Sequence, residues 1–232
     1  MTRIRLATYN VHKFIGADTK RNVPRILKVI EAIDADILAV QEFMPNKGGL
    51  NARDADQFAE NAGYHVVSQP IRRVTGNYQA NLLLSRLPAH RSDLVDLKHR
   101  RNEPRGAILA EFEIGAHSLT VIATHLGLTP RARAFQLDRL LALAPWRDGG
   151  YFALMGDLNA FIPWGPVDRR LRREFRDHAR PASFPAGRPM MPLDRIAIHP
   201  GHAVEKVGVH DVDPAPFASD HLPVVADLNL PD

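Results

Sequence analysis

The feature that most constrains this chain is a series of short apolar runs, each of which stops abruptly at polar residues. Four runs with the length of buried strands end in this way, at Tyr9-Asn10, Gln41-Glu42, Thr124-His125 and Gly156-Asp157-Leu158-Asn159. A carboxylate at a buried strand end is costly unless a cation or a hydrogen-bond donor pairs with it. The pattern therefore predicts a polar site built where several strands end.

A second polar signal lies late in the sequence, at Ser219-Asp220-His221-Leu222-Pro223, before the apolar run 224–226. An acid followed by a histidine, with a proline at the strand entrance, places a carboxylate and an imidazole at the start of a strand. Leu193-Asp194-Arg195-Ile196 adds a further acid beside a strand. Both segments are candidates for the same polar site.

The apolar periodicity predicts strands separated by a few helices. Strands are expected at 4–8, 36–40, 64–67, 80–84, 106–114, 118–124, 151–155, 193–198, 204–209 and 224–228. Helices are expected at 23–33, capped by Asn22, at 54–62, ended by Gly63, and from Thr129-Pro130 to Pro145, with Phe135 on the apolar side. Strand pairs joined by short turns favour mixed sheets covered by helices, in one domain over residues 1–232.

The residue types restrict the chemistry of the site. The 232 residues include no cysteine, so a metal must be held by oxygen or imidazole, which favours hard cations such as Mg²⁺. Asp157 and Asn159, two apart on an extended segment, lie on one face. One of them can handle a water molecule while the other donates an amide hydrogen to an anionic oxygen.

The motifs, taken in order, resemble those of the endonuclease/exonuclease/phosphatase superfamily. They are Thr8-Tyr9-Asn10, Gln41-Glu42, Asn81-Leu82-Leu83-Leu84-Ser85-Arg86, Thr124-His125-Leu126, Gly156-Asp157-Leu158-Asn159-Ala160, Leu193-Asp194-Arg195-Ile196 and Ser219-Asp220-His221-Leu222-Pro223. The resemblance spans almost the whole chain. It implies an α/β (α+β) fold, a four-layer αββα sandwich of two packed mixed sheets flanked by helices, with the site at one edge.

The same resemblance implies a metal site for Mg²⁺ or Mn²⁺. Glu42 corresponds to the principal metal ligand, with Asn10 and Asp220 close to the ion. Asn159 corresponds to a hydrogen-bond donor to the scissile phosphate, and Arg105 faintly resembles a phosphate-contacting arginine. These assignments follow from the family pattern alone.

The resemblance also implies the catalytic residues. Asp157 corresponds to the residue that orients or deprotonates the attacking water, and His221 to a donor to a phosphate oxygen that Asp194 orients. His125 corresponds to a histidine that assists phosphate binding or protonates the leaving group. The expected activity is metal-assisted, in-line attack of water on a phosphodiester.

The substrate stays open at this stage. A nuclease acting on DNA or RNA is the leading hypothesis, a lipid or small-molecule phosphodiesterase or phosphatase is the next, and a non-catalytic protein that binds nucleic acid or a protein partner is the rival from another class. The chain has no apolar signal region and no apolar stretch of the ~20 residues that span a bilayer. A monomeric cytoplasmic protein is expected.

Charge does not decide among these substrates. The net charge is +4, and arginines cluster at Arg100-Arg101 and within 169–180, including Arg176. Such a cluster gathers phosphates if it rims the site, and is a solvated face if it does not. His12 and Lys13 follow Asn10 closely enough to reach the site, and Trp164 either packs in the core or lines the cleft.

Overall fold

The computed structural model describes residues 2–46, 53–74, 77–144, 150–175 and 179–230. Its strands are β1 (Thr2–Asn10), β2 (Ile37–Phe43), β3 (His65–Val74), β4 (Asn77–Ser85), β5 (Arg91–Asp96), β6 (Gly106–Ile114), β7 (His117–His125), β8 (Tyr151–Asp157), β9 (Asp194–His199), β10 (Val204–Val209) and β11 (Val224–Leu230). Its α-helices are α1 (Val23–Ile33), α2 (Asp54–Ala62), α3 (Pro130–Leu141), α4 (Pro166–Glu174) and α5 (Ala215–Ala218).

The strands form two mixed sheets. One has the order β10-β11-β1-β2-β4-β3 and the other the order β5-β6-β7-β8-β9. Each contains one parallel pair, β1 with β2 and β7 with β8, among antiparallel neighbours. Because parallel strands end at the same edge, Asn10 lies beside Gln41 and His125 lies beside Asp157.

Successive residues of a strand face opposite sides of its sheet, so the buried apolar side chains form three core clusters, one between the sheets and one on the outer face of each sheet. On β1, Ile4 and Leu6 pack between the two sheets, whereas Ala7 and Tyr9 pack on the side of α1 and α2. The outer face of the second sheet packs against α3 and α4, through residues such as Phe152. The predicted four-layer αββα arrangement is confirmed.

The predicted helix ends hold, because short-range hydrogen bonds define them. The Asn22 side chain accepts a hydrogen bond from the Arg25 amide at 3.0 Å, and Gly63 ends α2 in the left-handed conformation. Thr129 caps α3 by accepting from the Ala132 amide at 3.3 Å. Pro145, the predicted end of that helix, lies outside the described residues.

Several details differ from the sequence-based predictions, and the short helix α5 (Ala215–Ala218) was also not predicted. Phe135 is largely exposed on α3, so its placement on the apolar side was wrong. β5 was missed because this edge strand is mostly exposed and lacks apolar alternation, and α4 was missed because only Val167, Asp168 and Leu171 of this arginine-rich helix are buried. Within the described part of the chain, no helix combines the length and apolar character needed to cross a bilayer.

Candidate active site

The ends of the central strands bring five predicted residues together around Asp157. Asp157 ends β8, faces Asp194 across the β8–β9 pair and lies beside His125 on β7. Gly156 has φ +146°, and a Cβ there would overlap the Thr124 carbonyl oxygen of the neighbouring strand. The glycine before Asp157 is therefore required by the close approach of two backbones.

Asp157 is buried, and its carboxylate is the hub of the contacts. The Asn10 side-chain amide donates to Asp157 Oδ2 at 3.0 Å, and the Asn159 backbone amide donates to Oδ1 at 2.8 Å. His125 Nε2 lies 3.5 Å from Oδ2, and His221 Nε2 lies 3.9 Å from the same atom. One carboxylate oxygen thus faces an amide and two imidazoles supplied by both sheets.

His221 is fixed by a buried hydrogen-bond chain through Asp194 and Ser183. Its Nδ1 donates to Asp194 Oδ2 at 2.7 Å, and the Ser183 hydroxyl donates to that same oxygen at 2.6 Å. Burial alone would lower the pKa of His221, but the carboxylates of Asp194, Asp157 and Asp220 outweigh it and raise the pKa to about 10. His221 is therefore a cation at neutral pH.

His125 is in the opposite state. Complete burial, with smaller effects of Arg105, His221 and Lys13, lowers the pKa of His125 to about 3, although Asp157 acts to raise it. Its imidazole is therefore neutral at pH 7. Two imidazoles beside one carboxylate, one charged and one neutral, are the arrangement in which acid and base roles separate.

Glu42 and Asn159 lie in strained backbone at the same edge. Both have a positive φ, +55° at Glu42 and +51° at Asn159. The β2–β4 register also shifts between Val40 and Phe43, so Glu42 lies in a β-bulge. Non-glycine residues in this region of backbone space cluster at functional sites, where the strain re-aims a side chain.

A tight turn after β1 supplies two basic partners for the predicted metal ligands. Lys13 Nζ lies 3.1 Å from Glu42 Oε2, and His12 Nδ1 lies 3.0 Å from Asp220 Oδ1. Asn10 Oδ1 accepts the His12 backbone amide at 3.0 Å, which fixes the turn against the site. Glu42 and Asp220 thus each face a nitrogen of this turn.

The oxygen donors suit a hard divalent cation. Glu42, Asp220 and Asn10 offer carboxylate and amide oxygens, the ligands that Mg²⁺ prefers. Asp157, Asp194 and His221 also place possible ligand atoms within 4.8 Å of one another. In that second group the His221 Nδ1 already donates to Asp194, and in the first group Glu42 and Asp220 already face Lys13 and His12, so the assignment of the metal ligands stays a prediction.

The predicted phosphate contacts meet at a backbone carbonyl. The Asn159 side chain donates to the Leu126 carbonyl at 3.0 Å, and Arg105 Nε donates to the same oxygen at 3.1 Å. Arg105 is buried and also pairs with Glu103 at 3.0 Å. Both side chains are next to His125 in this arrangement, and their contact with a phosphate stays a prediction.

The arginines of segment 169–180 pair largely within the protein. Arg170 pairs with Asp138, and Arg172 and Arg180 pair with the buried Asp168. Arg176 lies outside the described residues, and the exposed Arg100 and Arg101 lie on the loop between β5 and β6.

One residue of the site was not predicted, and the structure excludes one of the two interpretations of Trp164. Ser183, which donates to Asp194, lies in a loop and carries no motif that marks it in the sequence. Trp164 is 65 % exposed just after the Asp157 loop, so its interpretation as a core residue was wrong.

Solved structures share this fold. An endonuclease/exonuclease/phosphatase from Beutenbergia cavernae DSM 12333 is 24 % identical, with a TM-score of 0.79 over 99 % of this chain and 72 % of that one. A mannosyl-6-phosphatase from Bacteroides thetaiotaomicron VPI-5482 is 18 % identical, with a TM-score of 0.72 over 98 % of this chain and 100 % of that one. D. rerio TDP2 complexed with single strand DNA product is 13 % identical, with a TM-score of 0.72 over 99 % of this chain and 100 % of that one.

No curated protein matches the sequence. The model of the Endonuclease/Exonuclease/phosphatase family matches residues 7–221, nearly the entire chain. That span contains every motif from Thr8-Tyr9-Asn10 to His221. The chain therefore belongs to the endonuclease/exonuclease/phosphatase family of phosphoester-hydrolysing enzymes.

Proposed function

We propose that this protein hydrolyses a phosphodiester by in-line attack of water, with Mg²⁺ or Mn²⁺ as its cofactor. The observation that carries the proposal is the arrangement at Asp157, whose buried carboxylate lies between a neutral His125 and a cationic His221. Phosphoryl transfer to water needs a carboxylate that activates the nucleophile and a fixed hydrogen-bond donor that stabilises the developing charge, and Asp157 and His221 lie close enough to act on one phosphate.

The residues divide the work as follows. Asp157 orients the water and accepts its proton, while the amides of Asn10 and Asn159 hold its carboxylate in place. His221, kept protonated by Asp194, donates to a phosphoryl oxygen and stabilises charge that develops there. His125 faces the leaving group.

Glu42, Asn10 and Asp220 would hold the divalent cation. Bound there, the cation supplies positive charge for the phosphate oxygens. Lys13 and His12, which face Glu42 and Asp220 in the structure, offer charge or hydrogen bonds to the substrate phosphate once they leave these carboxylates.

The test is hydrolysis of bis-p-nitrophenyl phosphate. We expect activity with Mg²⁺ or Mn²⁺ that EDTA abolishes, and a fall of about 10²–10⁴-fold in kcat for Asp157→Asn, because the general base is lost. Asp168→Asn is the matched control, since Asp168 is also buried but pairs with arginines outside the site. Full activity in Asp157→Asn would contradict the mechanism.

Nuclease activity is the first substrate candidate. The likeness to TDP2, complexed with single strand DNA product, supports it at the level of the fold. Nicking of supercoiled plasmid by the wild type but not by His221→Ala, with Mg²⁺ or Mn²⁺, is the expected result. Plasmid that stays intact while bis-p-nitrophenyl phosphate is cleaved would refute it.

A lipid or small-molecule phosphodiester is the second candidate. The paired arginines of segment 169–180 favour it, because a polyanion must compete for them with Asp138 and Asp168. Turnover of lysophospholipid, or of nucleotide phosphodiesters without plasmid nicking, would support this candidate.

A further inference from the structure

Four consecutive apolar residues next to the site are exposed to solvent. Phe161, Ile162 and Trp164 are exposed by 44 %, 50 % and 65 %, and Pro163 between them is exposed as well. Leu128, exposed by 69 %, lies on the loop between His125 and α3, and Pro130, the first residue of α3, lines a small cavity together with Ile162. We call Leu128 and residues 161–164 the apolar rim. A run of exposed apolar residues marks an interaction surface.

The backbone of the rim is fixed, so these side chains are held outward. Trp164 has φ +61°, a strained conformation for a bulky residue. Its amide donates to the buried Asp168 carboxylate at 3.0 Å, and its carbonyl accepts from Arg169 at 2.6 Å. The Phe161 carbonyl accepts from Arg180 at 3.2 Å. These bonds hold the loop backbone in the conformation that leaves its apolar side chains exposed.

Arginines surround the rim. Segments 127–134 and 160–175 contain six arginines, set against three acids, namely Asp168 and Glu174 within these segments and the Asp138 that pairs with Arg170, so an excess of positive charge remains around the rim. The Arg172 guanidinium lies 4.5 Å from the centroid of the Trp164 ring, and Arg131 is exposed on the first turn of α3. Positive charge therefore lies directly behind the apolar side chains.

We propose that the apolar rim docks this protein on the surface of an anionic lipid bilayer. Tryptophan and phenylalanine are suited to the headgroup level, aliphatic side chains enter the acyl boundary, and the excess positive charge, including the exposed Arg131, attracts anionic headgroups. The rim follows Asn159 in sequence, so docking brings the Asp157 site to the membrane surface.

The composition of the rim favours a bilayer over unpaired nucleic acid. Nucleobases need free ring faces for stacking. One face of the Trp164 ring is covered by Arg172, and Leu128 and Ile162 offer no ring. A bilayer uses the aliphatic and aromatic side chains together. The docking does not depend on hydrolysis, and it can be measured without turnover.

The experiment is sedimentation of the purified protein with vesicles of phosphatidylcholine with and without phosphatidylserine. We expect binding to the anionic vesicles that falls at least about tenfold in Ile162→Ser/Trp164→Ser. Leu94→Ser is the matched control, because Leu94 is 55 % exposed on the distant edge strand β5. In a Trp146→Phe background, Trp164 is the only tryptophan, and its emission should shift to the blue on binding.

Folding is checked by thermal unfolding and by hydrolysis of bis-p-nitrophenyl phosphate, which the rim variants should retain. Equal sedimentation of the wild type and Ile162→Ser/Trp164→Ser would overturn the proposal. The proposal would also be overturned if the protein does not bind vesicles and the variant loses binding to a single-stranded oligonucleotide or loses self-association. The occupant of the rim would then be a nucleic acid or a second copy of this chain.

Discussion

Replacing Asp194 by asparagine should remove the charge that keeps His221 protonated. The gap between the ordinary pKa of 6.5 and the value of about 10 corresponds to roughly 5 kcal/mol in favour of the imidazolium. Asp194 has the largest stabilising effect, and Asp157 and Asp220 contribute the remainder. We therefore expect Asp194→Asn to lower the pKa of His221 and to cost about 2–3 kcal/mol of unfolding free energy near neutral pH.

The pH dependence separates this effect from a packing defect. Because folding raises the pKa of His221, its stabilisation is complete below about pH 6.5 and is lost as the pH rises through about 10. The stability difference between wild type and Asp194→Asn should therefore be large at about pH 6 and small at about pH 11. Urea unfolding at the two pH values measures it, and an NMR titration of the His221 ring protons reports the pKa directly.

The catalytic activity of Asp194→Asn is the third measurement. Loss of the fixed cationic donor should lower kcat by about 100-fold or more, with a smaller change in KM. Asp168→Asn should lose stability without altering the pKa of His221, because that carboxylate pairs with Arg172 and Arg180 instead. An unchanged His221 pKa in Asp194→Asn, or an equal loss of stability at both pH values, would refute the reasoning.

Two further predictions test the strand ends. The Lys13→Met variant should bind Mg²⁺ up to about fivefold more tightly, as measured by calorimetry. The reason is that Lys13 competes with the cation for Glu42, and a partly exposed ion pair is worth at most about 1 kcal/mol. Unchanged affinity would show that Lys13 does not compete. Gly156→Ala should lower the free energy of unfolding by about 3 kcal/mol or prevent folding, because its Cβ would overlap the Thr124 carbonyl. Gly187→Ala has open space around the new Cβ, so its free energy of unfolding should stay within about 0.5 kcal/mol of the wild-type value. Equal melting of the two variants would contradict the close approach of β7 and β8.

The sequence predicted the elements that local chemistry defines. The cap of Asn22 on α1 and the left-handed glycine after α2 depend on residues within a few positions of each other. β5 and α4 depend instead on neighbours distant in sequence, because β5 is defined by its pairing with β6 and α4 by two apolar residues that reach the core. Periodicity carries little information about elements of that kind.

The membership of the site was predictable, but the pairing inside it was not. Parallel strand ends meet at one edge of a sheet, so the polar residues that end β1, β2, β7 and β8 had to lie close together. Which base faces which acid depends on side-chain rotamers and on loops from elsewhere in the fold. Ser183 on Asp194 and Lys13 on Glu42 are contacts of that second kind.

Sequence alone left Trp164 open between the core and the cleft. A large aromatic residue is buried in most sequence contexts, whereas Trp164 is exposed on a loop whose backbone is fixed by Asp168 and Arg169. Glu42, Asn159 and Trp164 all have a positive φ; Glu42 lies in the bulge near the end of β2, and Asn159 and Trp164 lie on the segment that follows β8. Local backbone preferences are violated where the protein must aim a side chain, and the packed sheets behind these segments provide the stability that tolerates the strain. Positive φ also occurs outside the site, at Thr19, Asp34 and Arg100, so the functional interpretation of Trp164 rests on its exposure beside Phe161 and Ile162 and not on its backbone conformation alone.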